Sequence, residues 1–237
     1  MTGGERVACF SLEHSREEFH KRLLAESLSE QFGLALLAGD AGAAEEVALE
    51  AIEMSLGEAM LYDLVVGPAM HRIGRLWASG EIGVGHEHLA TQIATRVLVL
   101  AHEAIGMAAE RGEHRVMLAA VEGEQHVVAL DMAAKLLESA GYAVLILGAD
   151  VPTDELPTVI SDHGPALFAL SATMPAAGER LPTAIDAITE ADADIGVIIG
   201  GASIPPRLLP DPRVVVERTV AGVAATADRL VRRAGLN

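Results

Sequence analysis

Short apolar runs in the second half of the chain constrain its fold more than any other feature. They are RVMLAAV (115–121), YAVLILG (142–148), ALFALS (166–171), IGVIIGG (195–201) and the shorter RVVVE (213–217). The first four recur at intervals of roughly 25 to 30 residues, with helix-like stretches between them, which is typical of βαβ units. Because the runs are continuously apolar, we expect parallel strands that are covered on both faces. Residues 114–237 are therefore predicted to form one doubly wound α/β domain.

The first half of the chain follows a helical period instead. Apolar residues such as Phe19, Leu23 and Leu28 recur three to five positions apart, and four such segments fill residues 15–111. Pro68 is expected to kink or begin one of these helices. The predicted fold class is α + α/β: an N-terminal four-helix bundle followed by a Rossmann- or flavodoxin-like five-stranded parallel sheet. Residues 1–14 are left as an N-terminal tail.

Charge and composition exclude several classes of function. The chain has 17 basic and 34 acidic residues, a net charge of −17, which opposes direct binding to nucleic acid or to an anionic membrane. The single cysteine, Cys9, rules out an internal disulfide and fits a reducing compartment. The sequence contains no signal-peptide pattern and no apolar run of about 18 residues. We therefore expect a soluble, cytoplasmic protein.

The loop after the first predicted strand carries an acid and a histidine. Ligands of open α/β sheets bind beyond the carboxyl ends of the strands, and Glu124-Gln125-His126 lies at such an end. A histidine that binds a metal through one ring nitrogen commonly donates from the other to a carboxylate. This loop has no GxGxxG dinucleotide fingerprint. The alternative interpretation of His126 is a surface or helix-capping side chain.

Three short motifs together resemble a known family. EQHVVA (124–129), Ser171-Ala172-Thr173 and Gly200-Gly201 resemble the DxHxxG, SxL/SxT and GG motifs of cobalamin-binding domains with a helical cap. Such domains occur in methionine synthase and in corrinoid methyltransferase proteins. This sequence departs from the pattern twice, with Glu124 in place of Asp and Ala129 in place of Gly. The longer acid still reaches the histidine, whereas the alanine is expected to crowd the corrin slightly.

The resemblance implies a role for each of these positions. His126 would be the lower axial ligand of cobalt, Glu124 would orient it, and Gln125 and Val127 would flank it at the cofactor. The benzimidazole tail would then lie in a channel of the sheet domain. Ser171 and Thr173 would contact that tail, and Gly200 and Gly201 would let its nucleotide approach the backbone.

The cap adds a second pattern, in which Trp77 is followed after nine residues by Glu87-His88. It resembles the cobalamin-dependent photoreceptors that act as light-responsive repressors. By this resemblance Trp77, Val84, Glu87 and His88 enclose the adenosyl group, and light breaks the cobalt–carbon bond. Those proteins often have a histidine directly after the tryptophan, where this chain has an alanine, so His88 and His86 become the candidate upper-face ligands. The alternatives are a core anchor for Trp77 and an exposed helix start for the Glu-His pair.

The sequence thus favours a stand-alone light sensor that binds adenosylcobalamin or another cobalamin and does no catalysis of its own. It leaves no room for a winged helix-turn-helix domain, so its output is expected to pass through a homo-oligomer or an unidentified partner protein. A bilin such as biliverdin is a candidate second chromophore. The main alternative is a corrinoid protein that carries methyl groups for a methyltransferase system. A further alternative is a scaffold that has lost cobalamin.

Overall fold

The computed structural model describes residues 3–106, 112–206 and 211–235, with side chains of the first helix from residue 17 onward. The chain divides into two compact units, residues 1–105 and 106–237. The expected linker, residues 111–114, lies in part outside the described residues. Among the described residues, no helix is long and apolar enough to cross a membrane.

The first unit is helical, as predicted. Its elements are α1 (Gly3–Ala38), α2 (Ala41–Glu53), α3 (Glu58–Met60), a π-helical segment (Leu61–Val66), α4 (Gly67–Ala78) and α5 (Val84–Ile105). Because α3, the π segment and α4 follow one another without a break, they act as one long helical element. Helix α1 begins at Gly3, so most of the segment expected to be a tail is helical instead. The core includes Leu28 and Phe32 of α1 and Tyr62 of the π segment, and buried residues of α2, α4 and α5 complete it.

Pro68 explains the interrupted helix. Proline has no N–H to donate, and its ring conflicts with the carbonyl group four residues earlier in a regular helix. Here Pro68 lies in the first turn of α4, directly after the π segment, and Gly67 donates to the Tyr62 carbonyl oxygen as π-helical spacing requires. Pro68 therefore lies where α4 begins, which is one of the two expectations, and the π segment precedes it without a break in the helical path.

The second unit contains one five-stranded parallel sheet. Its strands are β1 (Arg115–Val121), β2 (Ala143–Val151), β3 (Leu167–Ser171), β4 (Gly196–Gly200) and β5 (Val214–Val216). They run in the order β2-β1-β3-β4-β5. The chain goes to one side of β1 to form β2 and to the other to form β3, so the topological switch point lies between β1 and β3. The doubly wound, flavodoxin-like prediction is confirmed.

Helices flank this sheet. They are α6 (Val128–Ser139), α7 (Leu156–His163), the single turn α8 (Pro175–Gly178), α9 (Leu181–Ala191) and α10 (Val223–Arg233). Every residue of β3 is buried, as is every residue of β1 after Arg115, which fits the continuous apolar runs of the sequence. The loops that follow β1 and β3 therefore leave the sheet side by side at its carboxyl edge.

Candidate functional site

The side chain of Glu124 is the centre of the site at the carboxyl edge of the sheet. It is fully buried, and its two oxygens accept hydrogen bonds from four N–H groups. Oε1 accepts from the backbone and ring nitrogens of His126, at 2.9 and 2.6 Å. Oε2 accepts from the backbone of Thr173 and Met174 in the loop after β3, at 2.5 and 2.8 Å. The carboxylate thus joins the two loops at the switch point.

These bonds control the ionisation of Glu124. Burial on its own would raise the pKa of this carboxyl group. The backbone N–H groups of His126, Met174 and Thr173, together with the imidazole, outweigh that effect, and the pKa of Glu124 lies below its usual range. Glu124 is therefore a carboxylate at neutral pH.

His126 is held by this carboxylate in a defined orientation. Because a carboxylate only accepts hydrogen bonds, ring nitrogen Nδ1 carries a proton, so that in the neutral ring Nε2 is the nitrogen with the lone pair. The side chain is 39% exposed, so the ring is accessible at the surface of the site. Helix α6 begins at Val128, its N-cap is Val127, and no side chain caps it. His126 is therefore not a helix cap, which was one of the two alternatives to a metal ligand; the other, a surface histidine, is compatible with its exposure.

A groove lies beside this pair, at the same edge of the sheet. It has a cavity volume of about 90 Å³, is partly open to solvent, and lies between α6, the ends of β3 and β4, and the loop after β5. Ser171, Gly200, Gly201 and Ala129 line it, which brings together three of the predicted tail-binding residues and the residue that replaces the family glycine. Thr173 is instead connected to the site through its backbone, since its N–H donates to Glu124 and its carbonyl accepts from Ser203 Oγ.

The remaining predicted residues of this loop differ in exposure. Gln125 is exposed, and Val127 is half-buried. Neither side chain is hydrogen-bonded to Glu124 or His126 among the described residues, so both remain predicted cofactor-binding residues.

The sequence analysis missed two features of the groove, the carboxylate of Glu217 and the space that Gly222 leaves for it. Glu217 lines it and accepts hydrogen bonds from the backbone of Arg218 and Thr219 and from the hydroxyl groups of Thr219 and Thr226. Burial alone would raise the pKa of Glu217, but these bonds, led by that of Thr226, lower it. A Cβ atom at Gly222 would lie 2.5 Å from this carboxyl group, so a glycine there makes room for it. The sequence offered only an acid at a strand end, with no sign of its partners.

The helical unit carries the other predicted residues. Trp77 on α4 is 38% exposed, which is inconsistent with a plain core anchor. Glu87 accepts from Thr91 Oγ1 at 2.9 Å and from His88 Nδ1 at 2.7 Å. Glu87 is mostly covered, whereas the His88 ring is 73% exposed with its Nε2 free of this bond. Val84 and His86, in the first turn of α5, are also exposed.

The helical unit also holds a buried polar cluster that sequence reasoning missed. Glu58 Oε1 accepts from Tyr62 Oη at 2.7 Å and lies 2.8 Å from His102 Nδ1. The spacing of Glu58 and Tyr62, four residues apart on a helix, could have suggested their contact. The contribution of His102 could not be read, because it lies on a different helix, 44 residues away.

Comparison with known proteins matches both units of the chain to B12-binding family models. Residues 114–228 match the family model of the B12 binding domain, and residues 28–101 match a second model of the same description. The HTH-type transcriptional repressor CarH of Myxococcus xanthus is 29% identical over 158 residues, which are 65% of this chain and 51% of the repressor. The match thus spans about half the length of the repressor. Dimethylamine corrinoid protein 3 of Methanosarcina acetivorans is 23% identical over 163 residues, or 67% of this chain and 76% of that protein.

A solved structure shares the fold. The monomethylamine corrinoid protein of Methanosarcina barkeri aligns with a TM-score of 0.71 and 16% identity, over 86% of this chain and 98% of that one. The two family models together cover most of the chain, and the Glu124–His126 pair and the glycine-lined groove lie within the first of them. The chain therefore belongs to the family of B12-binding proteins.

Proposed function

We propose that this cobalamin-binding protein is a light sensor that uses adenosylcobalamin, with His126 as the lower axial ligand of cobalt. The pair formed by Glu124 and His126 is the observation that carries the proposal. It fixes a proton on Nδ1, so that the lone pair of the neutral ring is on Nε2, where a metal can bind. The ring is also accessible. A single imidazole suits a metal that already has four equatorial ligands from a macrocycle.

The groove supports the same cofactor. Gly200 lines it, and a Cβ atom there would meet no protein atom closer than 3.9 Å, so the fold itself does not require a glycine. A bound group that approaches the backbone explains the missing side chain. Ser171, Thr173 and Gly201 would complete this tail-binding region, with Gln125 and Val127 beside the ligand.

The light response is assigned to residues of the helical unit. When bound, adenosylcobalamin supplies a cobalt–carbon bond that visible light cleaves. Trp77 presents an exposed aromatic surface, and Glu87, fixed by Thr91, orients the exposed ring of His88. We assign these three residues, with Val84, to the upper ligand. His88 or His86 would take its place on cobalt after illumination.

The output would be a change of oligomeric state or of affinity for a partner protein. A net charge of −17 favours partners with basic surfaces over DNA. The repressor relative shares about half its length with this chain, so repression itself is not carried over.

The test is a dark and light comparison. Purified protein is loaded with adenosylcobalamin in the dark, freed of excess, and followed by absorbance and by light scattering before and after green light. We expect retained cobalamin, a spectral change that free adenosylcobalamin does not show, and a change in molar mass. His126→Ala should lower the affinity tenfold or more.

Variants of the helical unit test the sensor itself. Trp77→Ala and His88→Ala should alter the retention of adenosylcobalamin in the dark or the product formed in light. The control is His71→Ala, at an exposed histidine of α4, which should leave both unchanged. Wild-type behaviour of Trp77→Ala and His88→Ala would contradict the light-sensing role. If cobalamin is not retained, biliverdin is the next chromophore to test.

The second candidate is a corrinoid carrier of methyl groups. It is favoured by the match to 76% of a dimethylamine corrinoid protein, a larger share than the repressor match covers. Tight retention of methylcobalamin, transfer of its methyl group to a partner methyltransferase, and no protein-specific light change would support this function. Preference for adenosylcobalamin over methylcobalamin would support the sensor.

A further inference from the structure

Asp150 makes two hydrogen bonds to the loop that carries His126. Its Oδ1 accepts from the backbone N–H of Gly123 at 2.6 Å. Its own backbone N–H donates to the carbonyl oxygen of Glu124 at 2.8 Å. The side chain and the backbone of one residue therefore hold the two peptide units, 122–123 and 124–125, that flank the 123–124 unit of the His126 loop.

The backbone around Asp150 is bent to reach that loop. The pairing of β1 with β2 shifts register between Leu118 and Ala119 and again between Ala119 and Val121. The inserted residues lie at the end of β2, where Gly148 has φ +89° and Asp150 has φ +53°. A left-handed conformation is uncommon outside glycine and costs about 1 kcal/mol for residues other than Asn and Asp. Because aspartate tolerates this conformation, the bulge can direct the Asp150 carboxylate at the neighbouring loop.

The loop that Asp150 contacts needs such support. Gly123 has φ +84°, and a Cβ atom there would meet nothing closer than 3.8 Å, so the turn itself is loosely packed. The next residue is Glu124, whose buried carboxylate fixes the proton of His126. A shift of the 123–124 peptide unit would move the root of that carboxylate away from the ring.

We propose that Asp150 is a positioning residue for His126. It acts through the backbone of Gly123 and Glu124, and it selects the Nδ1–H tautomer that leaves Nε2 free for a metal. The inference rests on the proposed function only in taking cobalt as that metal. Asp150 touches neither His126 nor the groove, so it is not itself a ligand.

Two substitutions separate the acceptor from the backbone conformation. Asp150→Asn keeps an Oδ1 acceptor and tolerates the left-handed region. Asp150→Gly keeps the left-handed conformation and removes the acceptor. Asp154→Asn is the matched control, because Asp154 is an exposed acid four residues along, with no side-chain contact among the described residues.

The first readout uses protein free of cobalamin. The ¹⁵N signals of the His126 ring, assigned with His126→Gln, report the fraction in the Nδ1–H tautomer. We expect this form to dominate in the wild type, Asp150→Asn and Asp154→Asn, and to fall at least twofold in Asp150→Gly. An unchanged tautomer fraction in Asp150→Gly overturns the proposal, and so does an equal loss in Asp154→Asn.

The second readout uses hydroxocobalamin, whose dissociation constant should rise roughly tenfold in Asp150→Gly and stay near the wild-type value in Asp150→Asn. An unchanged affinity in Asp150→Gly counts against the positioning role. A wild-type protein that binds no hydroxocobalamin contradicts the proposed function instead. The tautomer measurement then still decides the role of Asp150, because it needs no cofactor.

Discussion

Gly200 and Gly201 are neighbours in the sequence, yet the structure requires glycine at only one of them. Gly201 has φ +111°, and a Cβ atom there would lie 2.1 Å from the carbonyl oxygen of Ala172. Gly200 has no such conflict and lines the groove. The fold therefore explains the second glycine, and the proposed ligand is our explanation for the first.

This difference predicts opposite results for two alanine variants. Gly201→Ala should lower the free energy of unfolding of the sheet unit by more than about 2 kcal/mol, because the loop after β4 must move. Gly200→Ala should leave that free energy within about 0.5 kcal/mol of the wild type but weaken binding of hydroxocobalamin. Urea unfolding followed by circular dichroism, and absorbance titration, measure the two effects. Tight cobalamin binding by Gly200→Ala would remove the ligand-based explanation.

The sequence predicted part of this site and could not predict the rest. Glu124 and His126, two residues apart, carried a local signal for an acid–histidine pair, and the structure has that pair. The other half of the Glu124 environment comes from Thr173 and Met174, about 50 residues away. Only the strand order brings their N–H groups to the carboxylate, and a single sequence contains no local sign of such a contact.

Among the elements, the helix that contains Glu58 and Tyr62 combines a buried polar cluster with an irregular backbone. The π segment begins three residues after Glu58, and Leu61, Tyr62, Val65 and Val66 within it are buried. Burying Glu58 is costly unless its oxygens are hydrogen-bonded, and Tyr62 and His102 both contact Oε1. The cluster therefore fixes this helix against α5.

Tyr62→Phe tests the cluster with the smallest change in volume. We expect the helical unit to lose about 1–2 kcal/mol of stability, because one hydrogen bond to a buried carboxyl group is removed. The chain has one tryptophan, Trp77, and it lies in this unit, so its fluorescence follows the unfolding of the helical unit.

Tyr142→Phe is the control for this prediction. Tyr142 Oη donates to Asp228 in the sheet unit, so the same atom is removed from the other part of the chain. The Trp77 transition should not move in this variant. An equal shift in both variants would mean that the two units do not unfold independently.

The spacing of apolar residues predicted which segments are helices and which are strands. It did not predict their irregular segments or the residues at which they begin and end. All five apolar runs are strands, because a short, continuously apolar run between helical segments is typical of a buried strand. The π segment before Pro68, the start of α1 at Gly3 and the extension of β2 to Val151 were not anticipated. The π segment and the extension of β2 involve irregular backbone hydrogen bonds, which a hydrophobic period does not encode.

For the whole molecule, acid has two opposing effects. At a net charge of −17 at pH 7 the acidic side chains repel one another, and acidification toward the isoelectric point near 4.8 reduces that repulsion. Below that pH, carboxylates whose pKa is lowered in the folded state must take up protons. Glu124 and Glu217 are such groups, both in the sheet unit, and the unfolded chain binds protons at these positions first. Stability of the sheet unit should therefore pass through a maximum and fall as the pH drops below 4.5.

Glu124→Gln separates the carboxylate from the overall charge. At pH 7 the NH₂ group of the amide would face N–H donors, either those of His126 or those of Thr173 and Met174, and two donors cannot bond to each other. We therefore expect the sheet unit to lose about 1–3 kcal/mol of stability. Because the wild type loses the stabilisation by Glu124 as pH falls through the lowered pKa, the difference in stability between wild type and variant should narrow as the pH falls below 4.5. Urea unfolding followed by the backbone NMR signals of β1 measures both. Glu122→Gln, on the exposed residue that pairs with Arg180, should cost less than about 1 kcal/mol and show no such convergence. A gap that stays constant into acid would contradict a hydrogen-bonded carboxylate at Glu124.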